Sequence, residues 1–114
     1  MEVTIWHNPR CSKSRQTLEL LRNRGIEPKV VEYLKNPPSE AEIRRVLDLL
    51  GIPAQSLVRS GEAAYGEEGL SKKAGEDAFV AAMVHHPILI ERPVVITDGT
   101  AVLGRPPEAV LSII

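Results

Sequence analysis

With 114 residues the chain has room for one domain around its own hydrophobic core. A hydrophobic fraction of 43% and a charged fraction of 25% belong to an ordinary soluble globular protein. A formal net charge of -1 excludes the broad basic footprint of a nucleic-acid or anionic-membrane binder, so any anion site must be local.

The N-terminal run Met1-Glu2-Val3-Thr4-Ile5 has neither the basic flank nor the apolar run of a signal peptide, which points to the cytoplasm. Apolar stretches such as 79–84 and 94–96 are far too short to span a bilayer. Val3, Thr4, Ile5 and Trp6 predict a first strand, stopped at His7-Asn8-Pro9, where Pro9 biases Asn8 away from helix. Strong helix formers follow from about Ser12 to Arg24, with Leu18, Leu20 and Leu21 as the apolar face and Gly25 placed to end the helix. Lys29-Val30-Val31-Glu32-Tyr33 predicts a second strand, parallel to the first through a right-handed crossover.

Pro37-Pro38 breaks the chain. Ser39 and Glu42 then have the spacing of a capping box, and Ile43, Val46, Leu47 and Leu50 follow at i, i+3, i+4 and i+7. Gly51 and Pro53 close that helix, and the segment to Leu70 reads as one short helix and a polar loop. A helix is predicted over 77–86, with Phe79, Met83 and His86 on one face and Pro87 ending it. Val94–Thr97 and Thr100–Leu103 flank Asp98-Gly99, a strong signal for a tight hairpin, and a last helix fits 107–114 with Pro107 at its first position. Without the middle helices the order is β-α-β…β-β-α. The expected fold is therefore α/β and thioredoxin-like, with a mixed sheet of about four strands. Residues 1–114 would form one domain with a helical insertion over about 39–86.

The chemistry concentrates at His7-Asn8-Pro9-Arg10-Cys11-Ser12-Lys13-Ser14-Arg15, which follows a strand and opens a helix. Cys11 is the only cysteine, so no intramolecular disulfide forms. A lone cysteine is by default a small buried hydrophobe. At a helix N-terminus, however, unpaired N–H groups and the dipole stabilise a thiolate, whose free pKa is near ~8.5. His7, Arg10, Lys13 and Arg15 add positive or proton-accepting neighbours, and the Ser12 and Ser14 hydroxyls are candidate donors to the sulfur. Ser14 occupies the second thiol position of a Cys-x-x-Cys motif, so an oxidised Cys11 needs a thiol from outside.

Arg92-Pro93 stands before a predicted strand, where Pro93 is tolerated and a cis bond would make a tight turn. Arg59 and Arg105 are two further loop arginines. Each alone is more often a surface charge; only convergence on Cys11 would make an oxyanion clamp. His85-His86 is weak as a metal site, because adjacent helical residues face about 100° apart, and no ligand set for a metal completes it. Glu62, Glu67, Glu68, Glu76 and Asp77 read as a solvated acidic face. No phosphate-cradling glycine loop occurs.

At these residues the chain resembles the glutaredoxin-coupled arsenate reductase family. The segments that match are 7–15, Glu-Tyr-Leu-Lys-Asn-Pro-Pro at 32–38, Leu-Val-Arg at 57–59, His-His-Pro-Ile-Leu-Ile-Glu-Arg-Pro-Val-Val at 85–95 and Gly-Arg-Pro-Pro-Glu at 104–108. The resemblance implies a thioredoxin-like fold with an inserted helical region and a Cys11 nucleophile. It also implies an anion site of Arg59, Arg92 and Arg105, and a His7 that depresses the cysteine pKa. It further implies arsenate or a similar oxyanion as substrate, glutathione as co-substrate, glutaredoxin as partner, and no bound cofactor. The chain departs from the best-known members in ending at Ile114, soon after the Arg105 motif, and in a loop made more basic by Arg10 and Lys13. Two other readings stay open: an Spx-like interaction module, although that group commonly carries Cys-x-x-Cys, and a monothiol glutaredoxin-like oxidoreductase without arsenate specificity.

Overall fold

In the computed structural model, which describes residues 2–114, four strands pair in the order β2-β1-β3-β4. They are β1 (Thr4–His7), β2 (Lys29–Glu32), β3 (Val94–Ile96) and β4 (Ala101–Leu103). β1 and β2 are parallel, with Ile5 opposite Val30, and are joined by helix α1 (Ser12–Asn23). β3 runs antiparallel to both β1 and β4, with Val95 opposite Ile5 on one side and Val102 on the other. The sheet is therefore mixed, and the arrangement is the thioredoxin-type α/β one expected.

Contacts divide the chain into two units: residues up to Asn36 together with Arg92–Ile114, and Pro37–Glu91. The first holds the sheet, α1 and a 3-10 helix (Pro107–Ser112). Its core is Val3, Ile5, Leu21, Val95 and Val110, with Leu18, Leu20, Ile26, Val102, Ile113 and Ile114 packed against it. Burying each large aliphatic side chain stabilises the fold by about 1.5–3 kcal/mol, offset by the entropy of ordering it. α1 ends as the sequence predicts. Gly25, at φ +77°, turns the chain while its N–H donates to the Arg22 carbonyl and the Ile26 N–H to the Leu21 carbonyl, satisfying two orphan acceptors.

Two details of this unit differ from expectation. The last helix is a 3-10 helix that ends at Ser112, not a helix to Ile114. Pro106 and Pro107 supply no N–H donors there, and a six-residue run closes with i→i+3 bonds such as Ala109 N–H to Pro106 O. The hairpin loop is Asp98-Gly99, closed by the Thr97 N–H on the Thr100 carbonyl at 2.8 Å, yet neither loop residue has a positive φ.

The second unit is helical: α2 (Glu40–Leu50), α3 (Ala54–Leu57), α4 (Ala63–Glu67), α5 (Glu76–His85) and a 3-10 helix (Pro87–Leu89). The capping box forms as the spacing predicts: the Glu42 N–H donates to Ser39 Oγ at 3.1 Å and the Ser39 N–H to Glu42 Oε1 at 3.0 Å. Ile43, Val46 and Leu47 are buried, and Gly51 at φ +68° ends α2. The 53–70 segment forms two short helices where one was expected. α5 buries Phe79, Val80, Ala82 and Met83, which form one broad face of the helix. His86 does not extend that face; it sits at the C-cap with φ -133°, already outside the helix.

That change of backbone also overturns the geometric argument about His85-His86. His85 Nδ1 and His86 Nε2 both lie 3.2 Å from Glu68 Oε1. The acidic residues are likewise not a merely solvated face. Glu76 accepts the Ala54 N–H at the start of α3, Asp77 pairs with Arg44 at 2.9 Å, and Glu62 lies 3.7 Å from Arg59. Among the described residues no helix is long and apolar enough to cross a membrane, and no three His, Cys, Asp or Glu side chains are grouped to hold a metal ion.

Candidate active site

The loop between β1 and α1 is shaped by Asn8, a buried residue that uses three of its polar groups locally. Its side-chain oxygen accepts the Arg10 N–H, its carbonyl accepts the Cys11 N–H, and its own N–H donates to Ser14 Oγ, each at 3.0 Å. This places Cys11 at the N-cap of α1, with extended backbone at φ -93° and ψ 123°. Lys13 and Ser14 are then the second and third residues of the helix, whose N–H groups have no carbonyl partner within it. From the exposed side, Arg15 Nη1 donates to the Pro9 carbonyl at 2.9 Å and fastens the loop to the first turn.

Partial burial pushes the Cys11 thiol up, but four donors outweigh it and hold the thiol below its ordinary value: the Ser14 N–H, the Arg92 side chain, the Lys13 N–H and the Arg105 side chain. Arg105 Nη1 stands 3.8 Å from Cys11 Sγ and 3.0 Å from the Arg92 carbonyl, which ties the two arginine segments together. The Arg92–Pro93 and Arg105–Pro106 peptide bonds are both cis. Arg92 is buried and Arg105 is exposed. Cys11, Arg92 and Arg105 are thus brought together, and a thiolate with two guanidinium groups at its side is a place for an oxyanion.

His7 and Ser14 occupy a different place from the one the sequence suggests. Ser14 is fully buried, and its hydroxyl does not reach the sulfur; Ser14 Oγ lies 2.6 Å from His7 Nδ1 and accepts the Asn8 N–H. Burial lowers the His7 pKa, Glu32 opposes this, and Arg22 and Arg15 reinforce it, leaving the ring neutral near pH 7. His7 is not among the groups that lower the Cys11 thiol. It supports the loop through Ser14. Arg59 belongs to the Pro37–Glu91 unit, where its Nε lies 3.7 Å from Glu62 and its Nη1 3.6 Å from Glu91.

Two residues to which the sequence assigned no role are Thr17 and Gly104. Thr17 is fully buried on α1, donates to the Lys13 carbonyl at 2.8 Å and lies 3.4 Å from the Gly104 carbonyl. Its signal was present: Ser14, Thr17, Leu18 and Leu21 fall at i, i+3, i+4 and i+7.

Fold and site together define a thioredoxin-type protein with one cysteine, its thiol pKa lowered beside two arginines, and no second thiol in the sequence. The family model described as the ArsC family matches residues 6–113, and the chain belongs to that family. An arsenate reductase of Rhizobium meliloti (strain 1021) is 46% identical over all of this chain and 82% of its own length. An uncharacterised protein of Escherichia coli (strain K12) is 49% identical over 99% of this chain and 97% of its own. The solved structure of an arsenate reductase from Vibrio cholerae is 48% identical, covers all of this chain and 98% of its own, and superposes with a TM-score of 0.95.

Proposed function

We propose that this chain is an arsenate reductase that uses glutathione and glutaredoxin as electron donors and works in the cytoplasm. The Cys11 thiolate attacks the arsenic of arsenate and displaces one oxygen as water, with Arg92 and Arg105 holding the remaining oxygens and offsetting their charge. Glutathione adds to the thioarsenate adduct with loss of a second oxygen as water. A glutaredoxin thiolate then attacks the glutathione sulfur to form a mixed disulfide; the bond between arsenic and that sulfur breaks, and its electron pair stays on arsenic, reducing As(V) to As(III). Water releases arsenite and returns Cys11 as a thiol. The two external thiols supply both electrons, so no bound cofactor is required. Arg59 enters this reading by resemblance alone.

The observation that carries the reading is Arg105 on the sulfur of a lone, depressed-pKa cysteine, with serine where a resolving thiol would stand. The arsenate reductases among its relatives support the choice of oxyanion. The test is a coupled assay with arsenate, glutathione and glutaredoxin, run beside Cys11→Ser. Turnover is expected only for wild type with both thiols present. Turnover by Cys11→Ser, or reduction of a glutathione mixed disulfide without any of arsenate, refutes it.

A further inference from the structure

Of the eight glycines, Gly104 alone is hemmed in. A Cβ built there would stand 2.7 Å from Pro93 Cγ, 2.7 Å from Thr17 Oγ1 and 3.1 Å from Thr17 Cγ2, whereas the other seven have nothing within 4 Å. Carbon atoms in contact prefer about 3.5–4.0 Å, so a methyl group would force these segments apart by roughly 1 Å. The three residues that meet here are neighbours of the three that make the site. Gly104 precedes Arg105, Pro93 follows Arg92, and Thr17 lies on the helix that Cys11 caps.

Polar bonds hold the same junction. The Gly104 N–H donates to the Pro93 carbonyl at 2.9 Å, and Thr17 Oγ1 donates to the carbonyl of Lys13, the residue whose own N–H faces the sulfur. We propose that Gly104 and Thr17 are positioning residues. Their close contact sets how near the Arg92 and Arg105 segments come to the N-terminus of α1, and so sets the 3.8 Å approach of Arg105 to Cys11 Sγ. The proposal rests on Cys11 as the nucleophile and not on arsenate as the substrate, so it is tested on the free protein.

The measurement is the pH dependence of Cys11 alkylation by iodoacetamide in wild type, Gly104→Ala, Thr17→Ala and Thr17→Ala/Gly104→Ala, with folding followed by circular dichroism. Gly104→Ala should raise the midpoint and slow alkylation at pH 7 by about three- to tenfold, the loss of one partly exposed charge-assisted hydrogen bond. Thr17→Ala removes two of the three close atoms and leaves Pro93 Cγ at 2.7 Å, so the double variant should return part of the way to the Thr17→Ala midpoint. In an Arg105→Ala background, Gly104→Ala should add little, because the residue through which it acts is gone.

A folded Gly104→Ala with the wild-type midpoint overturns the proposal. So does a shift that Thr17→Ala does not reduce, or one that adds in full to Arg105→Ala. If Gly104→Ala does not fold, Thr17→Val takes its place. It keeps the shape but presses a methyl group towards Gly104, and should shift the midpoint upward by less. A wild-type midpoint in that variant also overturns the proposal.

Discussion

Replacing Ser14 by alanine should damage the fold of the loop much more than the reactivity of the thiol. Ser14 is fully buried, and its Oγ serves two partners, His7 Nδ1 at 2.6 Å and the Asn8 N–H at 3.0 Å, both on buried residues. Deleting the hydroxyl leaves a buried imidazole nitrogen and a buried amide without it, and a stranded polar group costs about 1–3 kcal/mol. Loop relaxation and water recover part of the loss, so the expected destabilisation is about 2 kcal/mol. The Ser14 backbone N–H, which is what faces the sulfur, survives the substitution. Urea denaturation at pH 7.5 measures the first effect as a lower midpoint at unchanged slope. Alkylation against pH measures the second, where less than about threefold change is expected at pH 7. A loss of stability under about 0.5 kcal/mol would refute the account of the hydroxyl as what holds the loop together. A large rise in the thiol midpoint in a folded variant would refute the separation of hydroxyl from amide.

Other outcomes follow from the same geometry. Arsenate or sulfate at constant ionic strength should protect Cys11 from alkylation saturably; Arg92→Ala should weaken protection about tenfold and Arg92→Lys restore only part of it, since the ammonium lacks the planar fork; protection equal in all three excludes Arg92 from the anion site. Because burial lowers the folded His7 pKa, its contribution to stability is complete above the unfolded value near ~6.5 and is lost as pH falls through the lower folded value. Urea stability from pH 7.5 to 5 should therefore fall less steeply in His7→Gln than in wild type, and equal slopes would show that His7 does not titrate as described. Ser39→Ala should cost about 1 kcal/mol by removing the N-cap of α2, with alkylation of Cys11 unchanged; a loss below ~0.3 kcal/mol would mean the capping box contributes nothing measurable.

The elements that carry local signals were legible in the sequence: β1 by its β-branched and aromatic residues, α1 by its helix formers and Gly25, and α2 by Ser39 and Glu42. The place of Cys11 at a helix start was legible because a strand, a proline-stopped loop and a run of helix formers meet at that thiol. What the sequence could not supply is distance between segments far apart in the chain. Arg105 is 94 residues from Cys11, and only the folded sheet brings it to the sulfur. Ser14 was misread because sequence shows a hydroxyl near a thiol but not the direction in which its rotamer points. Gly104 was invisible as a constraint for the same reason: its smallness answers to Thr17 and Pro93, and nothing local requires it. The 53–70 segment failed differently, since helices of four and five residues are too short to show a periodicity.

The burial of the Ser14 side chain beneath the loop also bears on how this scaffold could change its redox chemistry. A single-atom exchange, oxygen for sulfur, would write a Cys-x-x-Cys pair into the sequence at 11 and 14. The new sulfur would inherit the seat of Ser14 Oγ, committed to His7 and the Asn8 amide and closed to solvent, and not the partly exposed position of Cys11. A larger atom in that seat would crowd a contact already at 2.6 Å. Acquiring an internal resolving thiol therefore asks for a rebuilt loop, with position 7 and the Asn8 turn changing together. On the proposed reading, in which Cys11 draws on an external thiol, this loop favours a change of thiol donor over the acquisition of an internal one.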